Sequence, residues 1–515
     1  MTDITAGVPS KLPTGIPGFD QIGLGGLPEG RCTVLAGTAG SGKTVLGLQF
    51  LAAGLTAFGE GGVIVTFEEH PSELLANVRS FGWGLDEALA AKRLAIVDAT
   101  PEPGEDTVAA GTFDLSALLA RIESAIRKAG ASRVLLDSVG ALFPQLSDAG
   151  IVRRELHRIA SGLRRMGMTC IMTLERTDEE GPVGRFGVEE FVADNVVVLR
   201  NRLEQEKRRR TIEILKYRGT MHQKGEYPFT IDPVDGVTII PLSSIELQQR
   251  SSATRISAGV AALDAMCGGG MYRDSIILVS GATGTGKTLT VTHFLQAAIA
   301  AGERALLFAS EESREQLTRN ATMWSVDFEE AERQGLLRIV CRYPEVMALE
   351  DHLLHIRRDL AEFKPQRVAV DSVSAFERVS TPKSFREFII GLTSAIKQLE
   401  ITGMFTNTTS MLAGGESITE SHFSTITDTI VLLRYVELFG RMHRGLTVLK
   451  MRGTWHDKDI REYSIDDHGM HIGKPFRGVH GILTGAPSYS ISEERERLAE
   501  MFGRPAPEVA GDGAP

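Results

Sequence analysis

Short apolar runs alternate along this chain with longer stretches in which apolar positions return every three or four residues. The runs at 31–36, 62–67, 93–98, 132–137 and 168–174 read as buried strands, and the stretches at 45–58, 71–81, 115–129 and 151–166 read as helices. Alternation at this spacing predicts crossover units on a mainly parallel sheet, an α/β fold. Segments 194–200, 210–217 and 236–241 are strand-rich and predict an antiparallel extension of that sheet. The plan then repeats, with strands near 275–280, 304–309, 336–341, 367–371, 402–406, 428–434 and 445–451. The predicted division is a first domain over 1–241, a polar linker over 242–255 (LSSIELQQRSSATR) and a second domain over 256–478. A C-terminal loop, a short helix and a Pro/Gly/Ala-rich tail follow over 479–515.

The repetition extends to chemistry. Gly37-Thr38-Ala39-Gly40-Ser41-Gly42-Lys43-Thr44 and Gly281-Ala282-Thr283-Gly284-Thr285-Gly286-Lys287-Thr288 both fit G-x-x-x-x-G-K-[ST], each between an apolar run and a helix-like stretch. Glycines let the backbone wrap a phosphate chain, the Lys reaches the β/γ-phosphates, and the Thr hydroxyl (Thr44, Thr288) holds Mg²⁺. Two such loops in matching contexts predict ATP or GTP binding. Lys43 and Lys287 stand 244 positions apart (287 − 43), and Glu68-Glu69 and Glu311-Glu312 stand 243 apart (311 − 68). Arg133-Val-Leu-Leu-Asp137-Ser138 recurs as Arg367-Val-Ala-Val-Asp371-Ser372, and Lys216-Tyr217-Arg218-Gly219-Thr220 as Lys450-Met451-Arg452-Gly453-Thr454, both at 234 (367 − 133, 450 − 216). Kept order and spacing imply a duplicated domain of about 240 residues.

Composition narrows the function. A net charge of −10 and a pI near 5.7 argue against a non-specific grip on duplex nucleic acid. The basic run Lys207–Arg210 reads as the exposed edge of a strand or hairpin. Four scattered cysteines without a C-x-x-C pair point to a reducing cytoplasm, and no apolar run is long enough to span a bilayer. The N-terminus carries no apolar signal region.

Glu68-Glu69 and Glu311-Glu312 end predicted strands, where a parallel sheet presents side chains to ligands. A carboxylate there can deprotonate an attacking group; the alternative is a solvated acidic pair at a helix start. Asp137 and Asp371 end apolar strands as Mg²⁺-shell carboxylates or as N-caps of the next helix. Lys216/Arg218 and Lys450/Arg452 alternate along a strand and so share a face, as phosphate contacts reaching a neighbouring subunit's nucleotide or as a charge stripe. His222 and His456 lack a partner at metal-ligand spacing and read as phosphate or loop contacts.

With these blocks in place, SFGWGLDEAL (80–89), VRRELHRI (152–159), GVEEFVADNVVVLRN (187–201), MCGGGMYRDSIIL (266–278) and MRGTWHDKDIRE (451–462) closely resemble the KaiC family of double RecA-like clock ATPase/autokinases. The resemblance covers roughly residues 10–490 and implies two tandem RecA-like P-loop domains. It implies a homohexameric double ring with ATP between protomers, a slow ATPase first tier and a second tier that phosphorylates and dephosphorylates its own chain. Ser424 and Thr425 fall on the family's acceptors and Thr419 on an accessory position. Glu311 falls on the general base beside the metal, Glu312 on its support, and Glu68 on the water-activating residue. Lys216, Arg218, Thr220 and His222 fall on contacts to the neighbour's nucleotide in tier one, and Arg444, Lys450, Arg452, Thr454, His456 and Lys458 on those in tier two. Ser80 and Trp324 fall near adenine. The resemblance also implies a KaiB-like partner on tier one. The loop that the family's activator KaiA draws out is matched only loosely, so KaiA dependence does not carry over. In its place Ser490–Glu493 forms a capping-box pattern opening a short helix, which could join hexamers. Two other classes share the fold: a nucleic-acid-dependent motor and a nucleotide-gated scaffold without kinase activity.

Overall fold

The computed structural model describes residues 9–100, 115–141, 149–183, 193–204, 206–241, 252–409, 425–438, 440–482 and 488–489. Ser424, Thr419, the C-terminal helix and most of the 242–255 segment lie outside them. The chain divides into two compact units, Met1–Glu246 and Leu247–Pro515.

In the first unit, β1 (Lys11–Leu12) and β2 (Leu27–Pro28) form a small antiparallel pair. The main sheet comprises β3 (Cys32–Gly37), β4 (Gly61–Thr66), β5 (Leu94–Asp98), β6 (Ala131–Asp137), β7 (Thr169–Glu175), β8 (Asn195–Glu204), β9 (Lys207–Tyr217), β10 (Glu226–Asp232) and β11 (Gly236–Ile239). Its order is β11-β10-β9-β8-β3-β7-β6-β4-β5. The strands from β5 through β8 run parallel; β9, β10 and β11 are antiparallel additions.

Alternation along each central strand feeds two core layers. Leu35, Ile64, Leu135 and Ile171 pack on one face with the helix Lys43–Ala57, and Val34, Val65, Leu136 and Met172 pack on the other with the helices Leu115–Ala129 and Ala149–Arg165. Arg133, fully buried, spans the first layer by donating to Pro13 O (2.8 Å) and Phe50 O (2.9 Å) and by pairing with Glu60.

The second unit opens with the short pair β12 (Arg255–Ile256) and β13 (Met271–Tyr272). Its sheet comprises β14 (Ile276–Gly281), β15 (Ala305–Ala309), β16 (Leu337–Cys341), β17 (Arg367–Asp371), β18 (Thr402–Thr408), β19 (Thr429–Leu438), β20 (Arg441–Met451), β21 (Arg461–Asp466) and β22 (Gly469–Pro475). The order β16-β15-β17-β18-β14-β19-β20-β21-β22 reproduces the first sheet strand for strand. Both units are RecA-like α/β domains.

The outer strands exceed what periodicity predicted. Pro228, which lacks an N–H, argues against a strand over 226–232. It is accommodated in β10, where its carbonyl accepts from Ile240 N at 2.9 Å. β21 and β22 are half polar, and much of each is solvent-facing.

Candidate active sites

Each central strand, β3 or β14, ends in a glycine, and the loop beyond turns back through glycines of positive φ: Gly40 (71°) and Gly42 (95°), Gly284 (81°) and Gly286 (94°). Gly42 and Gly286 are the N-caps of helices Lys43–Ala57 and Lys287–Ala300, and no side chain caps either helix. The first-turn N–H groups are thus left for an anion. Lys43 folds onto the carbonyls of Gly37 and Thr38 (both 2.9 Å), and Lys287 onto that of Ala282 (3.0 Å). Burial lowers the pKa of both lysines. Of the other loop residues, Thr285 Oγ1 donates to Ala282 O (2.7 Å), Ser41 Oγ is buried without a partner, and Thr283 is exposed.

Asp371 lies at the end of β17, and its carboxylate accepts from Thr288 Oγ1 (2.7 Å) and from Thr406 Oγ1. Desolvation raises its pKa; the two hydroxyls oppose the rise. The N-cap alternative fails here, because Ser372 is the N-cap of helix Val373–Arg378. In the first unit Asp137 ends β6 and accepts from Thr173 Oγ1, with Thr44 half-buried in the first turn of the helix Lys43–Ala57.

The acidic pairs precede their helices rather than cap them; His70 and Ser313 are the N-caps. Glu68 accepts from Ser138 Oγ (3.2 Å), and Glu311 accepts from Ser372 Oγ (3.4 Å) and from Arg378. Glu69 accepts from Asn77 (3.1 Å) and Glu312 from Asn320 (3.2 Å). Glu68 reaches solvent, yet partial desolvation raises its pKa; Glu175 and Asp137 add to the rise while the Ser138 hydroxyl opposes it. Glu312 is raised first by burial, then by Asp371.

Lys216 and Lys450 lie within β9 and β20, but Arg218 and Arg452 fall just beyond the strand ends, before Gly219 and Gly453 at positive φ. Strand alternation alone therefore does not set the direction of the two arginines. Lys216 donates to Ala193 O (2.9 Å), Lys450 to Thr427 O (2.8 Å) and Arg452 to Thr425 O (2.6 Å). Thr220 donates to Met221 O (3.2 Å), and Thr454 accepts from Arg255 (2.6 Å). His222 packs 5.3 Å from the Tyr217 ring, and its pKa is lowered by burial and then by Lys11. Arg444 lies over the Tyr435 ring at 5.8 Å. His456 is half-exposed and Lys458 exposed, both in the loop after β20. Ser80 is exposed in the turn Arg79–Phe81, whereas Trp324 packs half-buried against the core. Thr425 is exposed. Among the described residues no three His, Cys, Asp or Glu side chains gather as a metal cluster.

Sequence reasoning missed several partners. Thr173/Thr406, Asn77/Asn320 and Arg378 hold the carboxylates, and the first two pairs recur at offsets of 233 (406 − 173) and 243 (320 − 77), close to those of the neighbouring repeat blocks. It also missed a cavity of about 750 Å³ beside the first loop, lined in part by Glu68, Glu175, Glu179 and Arg208. Thr38 donates to Glu179 there, as does Asn201 N (3.0 Å). The basic run is the β8–β9 hairpin end, with Arg208 turned to this cavity.

Two phosphate loops on duplicated RecA-like sheets, each flanked by a strand-end glutamate pair and a strand-end aspartate, define a tandem nucleotide-binding ATPase. The KaiC ATPase family matches residues 12–244 and 256–476. The chain is 62% identical over 492 residues to "Circadian clock protein KaiC3" of Synechocystis sp., covering 96% of this chain and 97% of the relative. It is 57% identical over 491 residues to "Circadian clock oscillator protein KaiC" of Thermostichus vulcanus, covering 95% and 94%. It is 55% identical over 492 residues to "Circadian clock oscillator protein KaiC 1" of Synechocystis sp., again covering 95% and 94%. The chain belongs to the KaiC family of circadian-clock ATPases and autokinases. Membership implies nucleotide binding and a KaiC-type oligomer. No described helix is long and apolar enough to cross a membrane.

Proposed function

We propose that the chain forms a homohexamer in which ATP with Mg²⁺ lies between neighbouring protomers in both tiers. The first unit hydrolyses ATP; the second phosphorylates Ser424 and Thr425, with Thr419 as an accessory site, and removes those phosphates. The observation that carries this reading is the bond from Arg452 to Thr425 O, beside that from Lys450 to Thr427 O. It fastens the acceptor segment to the end of β20 and the turn beyond it, which together bear the proposed finger cations, so both would reach a neighbour's nucleotide together.

The Thr288 hydroxyl and Asp371 carboxylate form an all-oxygen donor pair that suits Mg²⁺, with Glu311 adjacent; Thr44 and Asp137 are the equivalents in the first unit. When bound, Mg²⁺ neutralises charge on the β- and γ-phosphate oxygens. Lys43 and Lys287, with the loop amides, bind the phosphates. Glu311 takes the proton of the acceptor hydroxyl, and Glu312 supports it. Glu68, supported by Glu69, takes a proton from water in the first unit. Lys216, Arg218, Thr220 and His222, and Arg444, Lys450, Arg452, Thr454, His456 and Lys458, contact the adjacent protomer's nucleotide; Ser80 and Trp324 lie by its base.

We assign the ATPase domain to 1–241 and the autokinase domain to 256–478, with 242–255 as the linker between them. We place the protein in the cytoplasm as a phosphorylation-state timer. It would bind a KaiB-like partner on tier one, with the C-terminal helix as a contact between hexamers; the loose match of the activator loop gives no ground for assigning dependence on KaiA. A phosphate adds about −1.5 to −2 charge at the seam, enough to bias ring packing.

Incubation with γ-labelled ATP tests the kinase. Wild type should incorporate label that Ser424→Ala/Thr425→Ala loses; an unlabelled wild-type chain refutes the autokinase assignment.

A further inference from the structure

Strand register puts Glu175 and Thr408 at equivalent positions. Gly37 of β3 pairs with Glu175 of β7, and Gly281 of β14 pairs with Thr408 of β18. Two residues earlier on the same strand faces, Thr173 donates to Asp137 and Thr406 to Asp371. Alternation therefore aims Glu175 and Thr408 at the phosphate side of their sheets, one step nearer the strand ends. Around them the two sites match: serine to glutamate, asparagine to second glutamate, threonine to aspartate. Here they diverge. Glu175 is exposed and lines the same cavity as Glu68, whereas Thr408 is neutral and half-buried, its N–H donating to Ser374 Oγ at 3.1 Å.

We propose that Glu175 is the specificity-determining residue that commits the first unit to water, as a second carboxylate beside Glu68, and that Thr408 in its place leaves the second unit to a hydroxyl acceptor. This deepens the hydrolysis reading and rests on it. Water needs two acceptors to fix both protons and aim a lone pair at phosphorus; a protein hydroxyl, held by its own chain, needs one. In the step, the water oxygen bonds to the γ-phosphorus as the bond to the β–γ bridging oxygen breaks. One proton passes to Glu68, the other stays on the oxygen hydrogen-bonded to Glu175, and ADP and inorganic phosphate leave. Glu68 then returns its proton to solvent. The electrostatics agree: Glu175 leads the carboxylates that oppose the burial-lowered pKa of Lys43, whereas among the described residues Asp371 and Glu311 play that part around Lys287.

The test is phosphate release from full-length rings in a Lys287→Ala background, which leaves the first loop as the intact one. Glu175→Thr and Glu175→Gln should each lower kcat about tenfold or more with little change in KM for ATP, and Glu175→Asp should recover part of the loss. Reciprocally, Thr408→Glu in a Lys43→Ala background should raise phosphate release and lower self-labelling. Glu68→Gln is run in parallel. Its loss of activity alongside unchanged Glu175→Thr and Glu175→Gln kcat overturns the Glu175 assignment alone; no loss in any of the three overturns the base assignment with it. A Glu175→Thr defect confined to KM also overturns the proposal.

Discussion

Glu68 illustrates how position, not residue type, sets chemistry. Partial desolvation, Glu175 and Asp137 all favour its neutral form, against the Ser138 hydroxyl. As a base it must be ionised, so its activity falls as pH drops through a pKa above the ordinary carboxylate value of about 4.3. Removing the charge at 175 relieves one of the upward influences, so the acid limb of the first unit's rate should move to lower pH in Glu175→Gln. A pH–rate profile in the Lys287→Ala background reads this directly, and a limb that stays put or moves upward contradicts it. Arg133 is a residue of the opposite kind, structural and charged. It is fully buried, and its Glu60 pair recurs as Arg367–Glu303 at 2.7 Å. Arg133→Leu removes the donor to three carbonyls, Pro13, Thr14 and Phe50, and strands a partly buried carboxylate, and should cost roughly 3–5 kcal/mol. Denaturant unfolding would show it, and a loss below about 1 kcal/mol would mean the pair is nearly neutral.

At the scale of elements, the phosphate loops depend on their helix entries. A Cβ on Gly42 would stand 2.6 Å from Ile231 Cδ1, and one on Gly286 2.7 Å from Ile465 Cδ1, both at a φ that L-residues resist. Gly42→Ala should therefore weaken ATP binding to the first unit by about 1–2 kcal/mol or more, measured with a fluorescent nucleotide in the Lys287→Ala background. Wild-type affinity would show that the loop tolerates a shift of its entry. These loops were legible because their signal is local: a glycine spacing, a lysine and an apolar strand before a helix. The central strands were legible because burial on both faces leaves continuous apolar runs. Pro228 in β10 and the polar β21 escaped because pairing with a neighbouring strand, not their own pattern, makes them strands. The hydroxyls on Asp137 and Asp371 escaped for a related reason. Thr173 and Thr406 come from the adjacent strand and become partners only through sheet register.

At the scale of the whole molecule, the second unit ties its own acceptor segment to its own finger strand through Arg452 and Lys450. If nucleotide lies at the seams, a single chain then supplies both the cation and the hydroxyl to its neighbour's cradle, and the two functions cannot be separated within one seam. Lys287→Ala disables a cradle but leaves the finger and acceptor of that chain intact; Arg452→Ala does the reverse. Neither variant alone should label well. Mixed and reassembled, they create seams in which an Arg452→Ala chain provides the cradle and a Lys287→Ala chain provides the rest. Random assembly at equal amounts gives such seams about one quarter of the time. Labelling should therefore peak near equal mixing, at roughly a quarter of wild type, and decline towards either pure variant. Chains distinguished by a size tag should show the label on Lys287→Ala, the chain whose own cradle is broken. Label confined to Arg452→Ala, or none at any ratio, would mean that cradle and acceptor belong to the same chain.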